Sequence, residues 1–315
     1  ALADAAATGS ILIPAMEKAG YEKRFAAAVT ASAGTIGPII PPSIPFVVYA
    51  SIASVSVGKL FMAGAVPGIA MGLFMMVAIY FIARKRNYPR ERRQTIKEIC
   101  RGFKDAVLAL CMPGIILGTI LTGMTTPTEG AAIAVVYALI VTMLIYKEIN
   151  IKSLIEITYK TAISSAVIMF VISAASQFGW LLSREQVPIK LQMAAGALTD
   201  NPMVLLLLIN CMLLFLGCFM EGTSVIIILT PVLMPMLQQY GINLIHFGVL
   251  FTLNMMLGLL TPPVGMNLFV VSKVSGLPLS EIVRELGPFL FGLAVLLIIV
   301  TYIPQFSLWL PSLFM

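Results

Sequence analysis

Gly37-Pro38-Ile39-Ile40-Pro41-Pro42-Ser43-Ile44-Pro45 places four prolines in nine residues between two nearly uncharged apolar runs, 25–36 and 46–57. Proline lacks a backbone donor and crowds the preceding turn, so no helix continues through this stretch. If the flanks lie in a bilayer, the break exposes backbone groups that lipid cannot satisfy. Such a break survives where protein buries it or where it lines a polar cavity. That is how many secondary transporters build an ion or substrate site. A second break follows the same pattern: Gly258-Leu259-Leu260-Thr261-Pro262-Pro263-Val264-Gly265-Met266-Asn267.

The composition supports a bilayer setting. Of 315 residues, 59% are hydrophobic and 11% charged, with a mean hydropathy of +1.00. Soluble domains carry about 25% charged residues. The apolar runs are continuous, whereas a β-barrel alternates in segments of about ten. The fold class is therefore an all-α polytopic membrane protein with re-entrant hairpins and two broken helices. The net charge of +6 does not point to nucleic acid, because the basic residues cluster in short loops, as the positive-inside rule expects. His246 is the only histidine, and Cys100, Cys111, Cys211 and Cys218 show no metal-ligand spacing. A histidine-based metal site or catalytic triad is thereby disfavoured, and the cysteines read as small apolar residues.

The two breaks suggest an internal repeat offset by 221 residues. Pro14 then meets Pro235, Pro41 and Pro42 meet Pro262 and Pro263, and Pro67 meets Pro288, which is four of the six prolines in residues 1–67. Those residues fix backbone breaks, so their coincidence is structurally meaningful. Lys18, Lys23 and Arg24 follow the first hairpin arm, while the corresponding stretch 238–245 is uncharged. That asymmetry predicts inverted repeats.

The expected path has three parts. Residues 1–83 are the end of the first repeat: a hairpin arm (5–16), a broken helix (25–56) and a span (66–83). Residues 84–105 are a basic cytoplasmic loop with nine of the twenty lysines and arginines, including Arg90, Arg92 and Arg93. Within it 95–104 is either a surface helix or a solvated loop. Residues 106–315 are the second repeat, with spans 106–122, 130–146 and 162–181, a hairpin 203–237, a broken helix 246–272 and a last span 288–304. This path puts seventeen basic residues on the cytoplasmic side and three (Lys59, Arg184, Lys190) outside. Residue 1 pairs with residue 222, so the register leads us to expect about a hundred preceding residues, including the outer arm of the first hairpin.

Candidate sites gather at the breaks and hairpin tips. Freed carbonyls at Gly37, Ile40 and Ser43, and at Gly258, Thr261 and Val264 with the Thr261 hydroxyl, are candidate ligands for a hard cation. The bland alternative is two packing kinks. Glu221, in the tip Met220-Glu221-Gly222-Thr223, is either a helix cap or an intramembrane functional carboxylate. Thr223, Ser32, Thr35, Asn254 and Asn267 are candidate substrate contacts beside unwound backbone. Thr126-Pro127-Thr128-Glu129 has capping-box spacing and reads as a helix start.

Specific motifs then carry a family resemblance. Ala3-Asp4-Ala5-Ala6-Ala7, Gly9-Ser10-Ile11, Ile13-Pro14-Ala15-Met16, the first break, Thr126-Pro127-Thr128-Glu129-Gly130-Ala131-Ala132 and Leu260-Thr261-Pro262-Pro263-Val264-Gly265 occur in one order. Together they resemble the large membrane subunit of tripartite ATP-independent periplasmic (TRAP) transporters, over essentially the whole chain. The resemblance implies an elevator-type, Na⁺-coupled importer of small organic acids in the bacterial inner membrane, with Na⁺ as coupling ion and no other cofactor. Its partners would be a small membrane subunit, a periplasmic substrate-binding protein, an anionic substrate and the lipid bilayer. Two Na⁺ sites carry over to Gly37, Ile40 and Ser43, with residues preceding Ala1, and to Gly217, Gly258, Thr261 and Val264. The sequence holds no P-loop, so an ion gradient is the expected driving force. The alternative is a stand-alone Na⁺-coupled anion transporter that works without a binding protein.

Overall fold

The computed structural model describes residues 1–89 and 95–314, which are helical throughout their ordered elements. Arg90, Arg92 and Arg93 lie outside the described residues. Among the described residues, five helices are long and apolar enough to cross a membrane, or six if one bent pair counts as a span. The chain forms two compact units, residues 1–89 with 178–315, and residues 90–177.

The larger unit begins with α1 (Leu2–Lys18), α2 (Lys23–Ala33), α3 (Ile44–Ala53) and α4 (Val57–Lys85). The first break therefore starts at Gly34, three residues before the proline-rich stretch, and the span reaches from 57 to 85 rather than 66 to 83. Thr35, Ile36 and Ile39 close single turns back onto Ser32, Ala33 and Ile36. These tight turns draw the helix in before the prolines stop it. The expected helix 25–56 ends at Ser54, whose φ of 53° turns the chain into α4. The Ser43 hydroxyl caps α3 by accepting from the Phe46 amide at 3.3 Å.

In the smaller unit, α5 (Ile96–Leu121) starts at Thr95, whose backbone amide donates to Glu98 at 2.7 Å. It bends by 59° between its segments Ile96–Lys104 and Ala106–Leu121. The segment 95–104 is thus helical, not a solvated loop. Next comes α6 (Pro127–Ile140), closed by a π-helical turn, Val141–Ile145. The capping box is present: the Thr126 amide donates to Glu129 at 2.7 Å and the Glu129 amide to the Thr126 hydroxyl at 3.3 Å. The unit boundary falls inside α7 (Ile151–Arg184).

The larger unit resumes with α8 (Val187–Leu198), α9 (Pro202–Gly217), α10 (Gly222–Gln239), α11 (Leu244–Gly258), α12 (Met266–Ser275), α13 (Leu279–Tyr302) and α14 (Gln305–Phe314). The sequence reading had no counterpart for α8 or α14. Here α14 packs on α4, and α8 on α10. Adding 221 to the bounds of α2, α3 and α4 gives starts at 244, 265 and 278, within one residue of α11, α12 and α13. The prolyl bonds Pro41-Pro42 and Pro262-Pro263 are both cis. Helices α9, α11, α12 and α3 are apolar but only 10–16 residues long. That is too short to cross the ~30 Å hydrocarbon layer, which takes about 20 residues. It suits arms that meet at a break. The interior of the unit is α11, whose residues 246–258 are all buried.

Candidate functional site

The second break is built by contact of backbone on backbone. A Cβ added at Gly258, the last residue of α11, would stand 2.6 Å from the carbonyl carbon of Gly217 and 2.7 Å from its Cα. Only two glycines allow this approach. It brings the hairpin tip onto the break, where the Gly265 amide donates to the Cys218 carbonyl at 3.1 Å. Gly265, with φ 59°, reverses the chain into α12.

The oxygens at this junction divide into spent and free. The Gly258 carbonyl accepts from the Thr261 amide at 2.9 Å. The Thr261 hydroxyl donates to the Leu257 carbonyl at 2.7 Å, so its lone pairs point elsewhere. Among the described residues, the carbonyls of Gly217, Thr261 and Val264 accept no hydrogen bond. These carbonyls and the Thr261 hydroxyl are hard oxygen groups, the chemistry that alkali cations prefer.

The first break is similar but more exposed. Its Gly37 and Ile40 carbonyls accept no hydrogen bond among the described residues. The Ser43 carbonyl is spent on the Val47 amide. A Cβ on Gly37 would meet Asp4 Oδ2 at 2.7 Å, so α1 abuts this break as the hairpin tip abuts the other. Helix α4 cradles it: a Cβ on Gly64 would strike the Phe46 ring and stand 2.8 Å from the Ile39 carbonyl, and one on Gly68 would stand 2.7 Å from Ile40. The sequence reading missed this cradle. Its signal was the four-residue spacing of Gly64 and Gly68 on an apolar helix.

The polar candidates fall into two groups. Glu221 is a cap: one carboxylate oxygen accepts the Ser224 amide and the other the Thr223 hydroxyl, both at 2.9 Å. Its charge faces the first turn of α10, a favourable place for an anion. Ser32, Thr35, Asn254 and Asn267 are buried instead. Thr35 donates to the Ser32 carbonyl at 2.7 Å. Asn254 donates to both the backbone and side-chain oxygens of Asn210 on α9 at 3.0 Å, and Asn210 donates to Thr301 on α13 at 2.8 Å. Asn267 donates to the Ala31 carbonyl of α2 at 2.7 Å. Among the described residues, four buried side-chain oxygens lack any partner, and three of them are Ser32 Oγ, Asn254 Oδ1 and Asn267 Oδ1. A buried polar atom left unpaired costs about 1–3 kcal/mol. These three lie on α2, α11 and α12, the helices that adjoin the two breaks.

Comparison with known proteins decides the family. Residues 1–306 match the DctM component of the tripartite ATP-independent periplasmic transporters. The chain belongs to this family. It is 42% identical over 315 residues to the sialic acid TRAP transporter large permease protein SiaM of Vibrio cholerae, covering all of this chain and 74% of that protein. It is 42% identical over 310 residues to the C4-dicarboxylate TRAP transporter large permease protein DctM of Pseudomonas aeruginosa, covering 98% of this chain and 73% of that one. The 2,3-diketo-L-gulonate TRAP transporter large permease protein YiaN of Escherichia coli is 39% identical over 305 residues, with 97% and 72% covered. The chain is thus a multi-pass TRAP permease component and not an enzyme.

Proposed function

We propose that this permease imports a small organic acid, of the class that includes sialic acids, C4-dicarboxylates and keto sugar acids, across the bacterial inner membrane with Na⁺ entry. The observation that carries the reading is the pair of breaks. Each offers uncommitted carbonyls, and unpartnered buried oxygens of Ser32, Asn254 and Asn267 lie on the adjoining helices. Gly217, Thr261 and Val264 would hold one Na⁺, and Gly37 and Ile40, with Ser43 as helix cap, would contribute to another. Each sodium ion moving down the membrane potential contributes about 2.3 kcal/mol per 100 mV. Accumulation of an anion is driven that way without nucleotide chemistry. The two repeats would be inverted, and the hairpins and broken helices would carry the solute in an elevator movement. A periplasmic binding protein would deliver the solute, and a small membrane subunit would complete the complex.

The test is uptake of a carboxylate panel into proteoliposomes holding the permease with its two partners. Uptake that vanishes when K⁺ replaces Na⁺ outside, and that needs the binding protein, is the expected result. Uptake unchanged in K⁺ would sink the sodium reading. Uptake without the binding protein would mean a stand-alone transporter instead. Thr261→Val is expected to weaken sodium-dependent uptake about tenfold, as loss of one oxygen ligand worth about 1.4 kcal/mol, while Thr261→Ser retains it.

A further inference from the structure

Where α4 ends and α13 begins, the larger unit has a second polar locus that the transport site does not use. A cavity of about 360 Å³ is lined by Ile82, Lys85, Arg86, Arg284, Glu285 and Pro288. Its charges are unequally matched. The buried Glu285 carboxylate accepts from Arg86 Nη2 at 2.6 Å and faces Arg24 Nε at 3.3 Å. Glu22 takes the same two guanidinium groups, at 2.6 Å from Arg24 and 3.5 Å from Arg86. Two carboxylates and two guanidiniums therefore neutralise each other. Arg86 is fixed further by the Phe25 ring, 5.7 Å away. Lys85 and Arg284, the chain neighbours of Arg86 and Glu285, are left over. Both are exposed, and neither has a carboxylate partner among the described residues.

The walls beside these two cations are apolar and continue along the spans. Val77, Phe81 and Lys85 recur every four residues on α4, which puts them on one stripe. Arg284, Pro288 and Phe291, four and then three residues apart, share a stripe on α13 in the same way. Val77 and Phe81 are 52% and 66% exposed, and Phe291 is 71% exposed. The helices converge there, with Phe74 Cβ 3.6 Å from a Cβ added at Gly292. A pair of unmatched cations at the basic end of two spans, beside exposed apolar side chains on both, fits an amphiphile with a compact anionic head. Basic pockets between spanning helices on the cytoplasmic side bind such headgroups.

We infer that the cavity between α4 and α13 is a binding site for an anionic phospholipid, its phosphodiester held by Lys85 and Arg284 and its acyl chains lying along the exposed side chains of Phe81 and Phe291. A free phosphate shares the head's chemistry but gains nothing from these apolar side chains, and a neutral zwitterionic lipid shares the apolar contact but not the charge. The inference rests on α4 and α13 spanning the membrane. It is independent of sodium coupling.

Native mass spectrometry of the purified protein, titrated with phosphatidylglycerol, phosphatidylcholine of the same chains, or inorganic phosphate, tests it. The wild type is expected to hold phosphatidylglycerol in preference to phosphatidylcholine. The double variant K85Q/R284Q is expected to hold it about thirtyfold more weakly, from about 1 kcal/mol for each cation lost. The charge-preserving K85R/R284K is expected to retain it, which separates lost charge from lost folding. Equal retention by K85Q/R284Q overturns the site. So does competition by inorganic phosphate at the lipid's own concentration. Loss of the small subunit from K85Q/R284Q with lipid retention intact would assign the two cations to a protein partner instead.

Discussion

The side-chain amide of Asn267, in the first turn of α12, donates to the Ala31 carbonyl of α2 at 2.7 Å. A reciprocal tie runs from the Tyr49 hydroxyl of α3 to the Leu244 carbonyl at the start of α11, also at 2.7 Å. The far half of each broken helix therefore grips the near half of the other. Asn267 is fully buried, and among the described residues no other side chain donates to the Ala31 carbonyl. Asn267→Ala is expected to destabilise the protein by about 1–3 kcal/mol, the cost of a stranded buried acceptor. Tyr49→Phe should cost about 1 kcal/mol or less, since the Leu244 carbonyl lies at a helix start where backbone donors are near. Thermal unfolding of the two purified variants ranks them. A Tyr49→Phe loss larger than the Asn267→Ala loss would contradict the geometry.

The contact of Gly217 with Gly258 makes a sharper demand. Alanine at 258 drives a methyl group into the peptide of 217 at 2.6 Å, and backbone on both sides leaves no flexible end to move. Overpacking of this kind costs about 1–3 kcal/mol. The separation of α9 from α11 should also spread the carbonyls of Gly217, Thr261 and Val264. Gly258→Ala is expected to lower the melting temperature and to lose Na⁺-dependent stabilisation. Gly217→Ala meets Gly258 Cα only at 3.2 Å and should do less of both. Melting curves with Na⁺ and with K⁺ read the two effects separately. A wild-type sodium shift in Gly258→Ala would remove this junction from consideration as a cation site.

Much of this arrangement was legible because proline and glycine act locally. The adjacent pairs Pro41-Pro42 and Pro262-Pro263 interrupt the helix, whereas the single prolines Pro14, Pro67, Pro235 and Pro288 sit inside continuous helices, so it was the paired prolines that made both breaks and their 221-residue offset readable. The start of the first break was not, because Gly34-Thr35-Ile36 contains no residue that must end a helix. Its tight turns are set by packing against α1, where a Cβ on Gly34 would touch Ala5 at 3.1 Å. Helices α8 and α14 went unread for a similar reason. They are 12 and 10 residues long and are held by α10 and α4, contacts that leave no periodic trace in so short a segment. The unpartnered oxygens of Ser32, Asn254 and Asn267 depend wholly on what surrounds them, so only their polarity next to a break was visible beforehand. The family motifs had already pointed to the TRAP permeases, which the match over residues 1–306 bears out.

Two glycines of α4 separate cradle from plain helix. Gly64 faces Phe46 and the Ile39 carbonyl, whereas a Cβ on Gly72, two turns on, has nothing within 4 Å. Gly64→Ala is expected to cost about 1–3 kcal/mol and to displace the first break. Gly72→Ala should be neutral or stabilising by up to about 1 kcal/mol, because alanine is the better helix former. Both substitutions add the same methyl group to the same helix, so a difference in melting temperature isolates the contact. Equal losses would mean that α4 does not support the break.

The ionic cluster at the basic end of the larger unit responds to both mutation and acid. Glu285 is 7% exposed and serves two guanidiniums, of which Arg86 is 31% exposed and Arg24 46%. Glu285→Gln leaves Arg24 and Arg86 to share the one carboxylate of Glu22, for an expected loss of about 1–2 kcal/mol, less than the 3–5 kcal/mol of breaking a fully buried pair. Glu22 gives the pH dependence. The hydrogen bond from Arg24, aided by the nearby charges of Arg24 and Arg86, holds its carboxyl below the ordinary value of 4.5. The folded state then binds this proton less readily than the unfolded chain. Its contribution is fully present above pH 4.5 and is lost as the pH falls through the depressed value. Because Glu22 is 40% exposed, the effect is small, and it should be read as a difference. The wild type is expected to lose more stability than Glu22→Gln between pH 6 and pH 3, with the two curves converging at the acid end. Parallel curves across that range would mean that Arg24 and Arg86 do not hold Glu22 in its charged form.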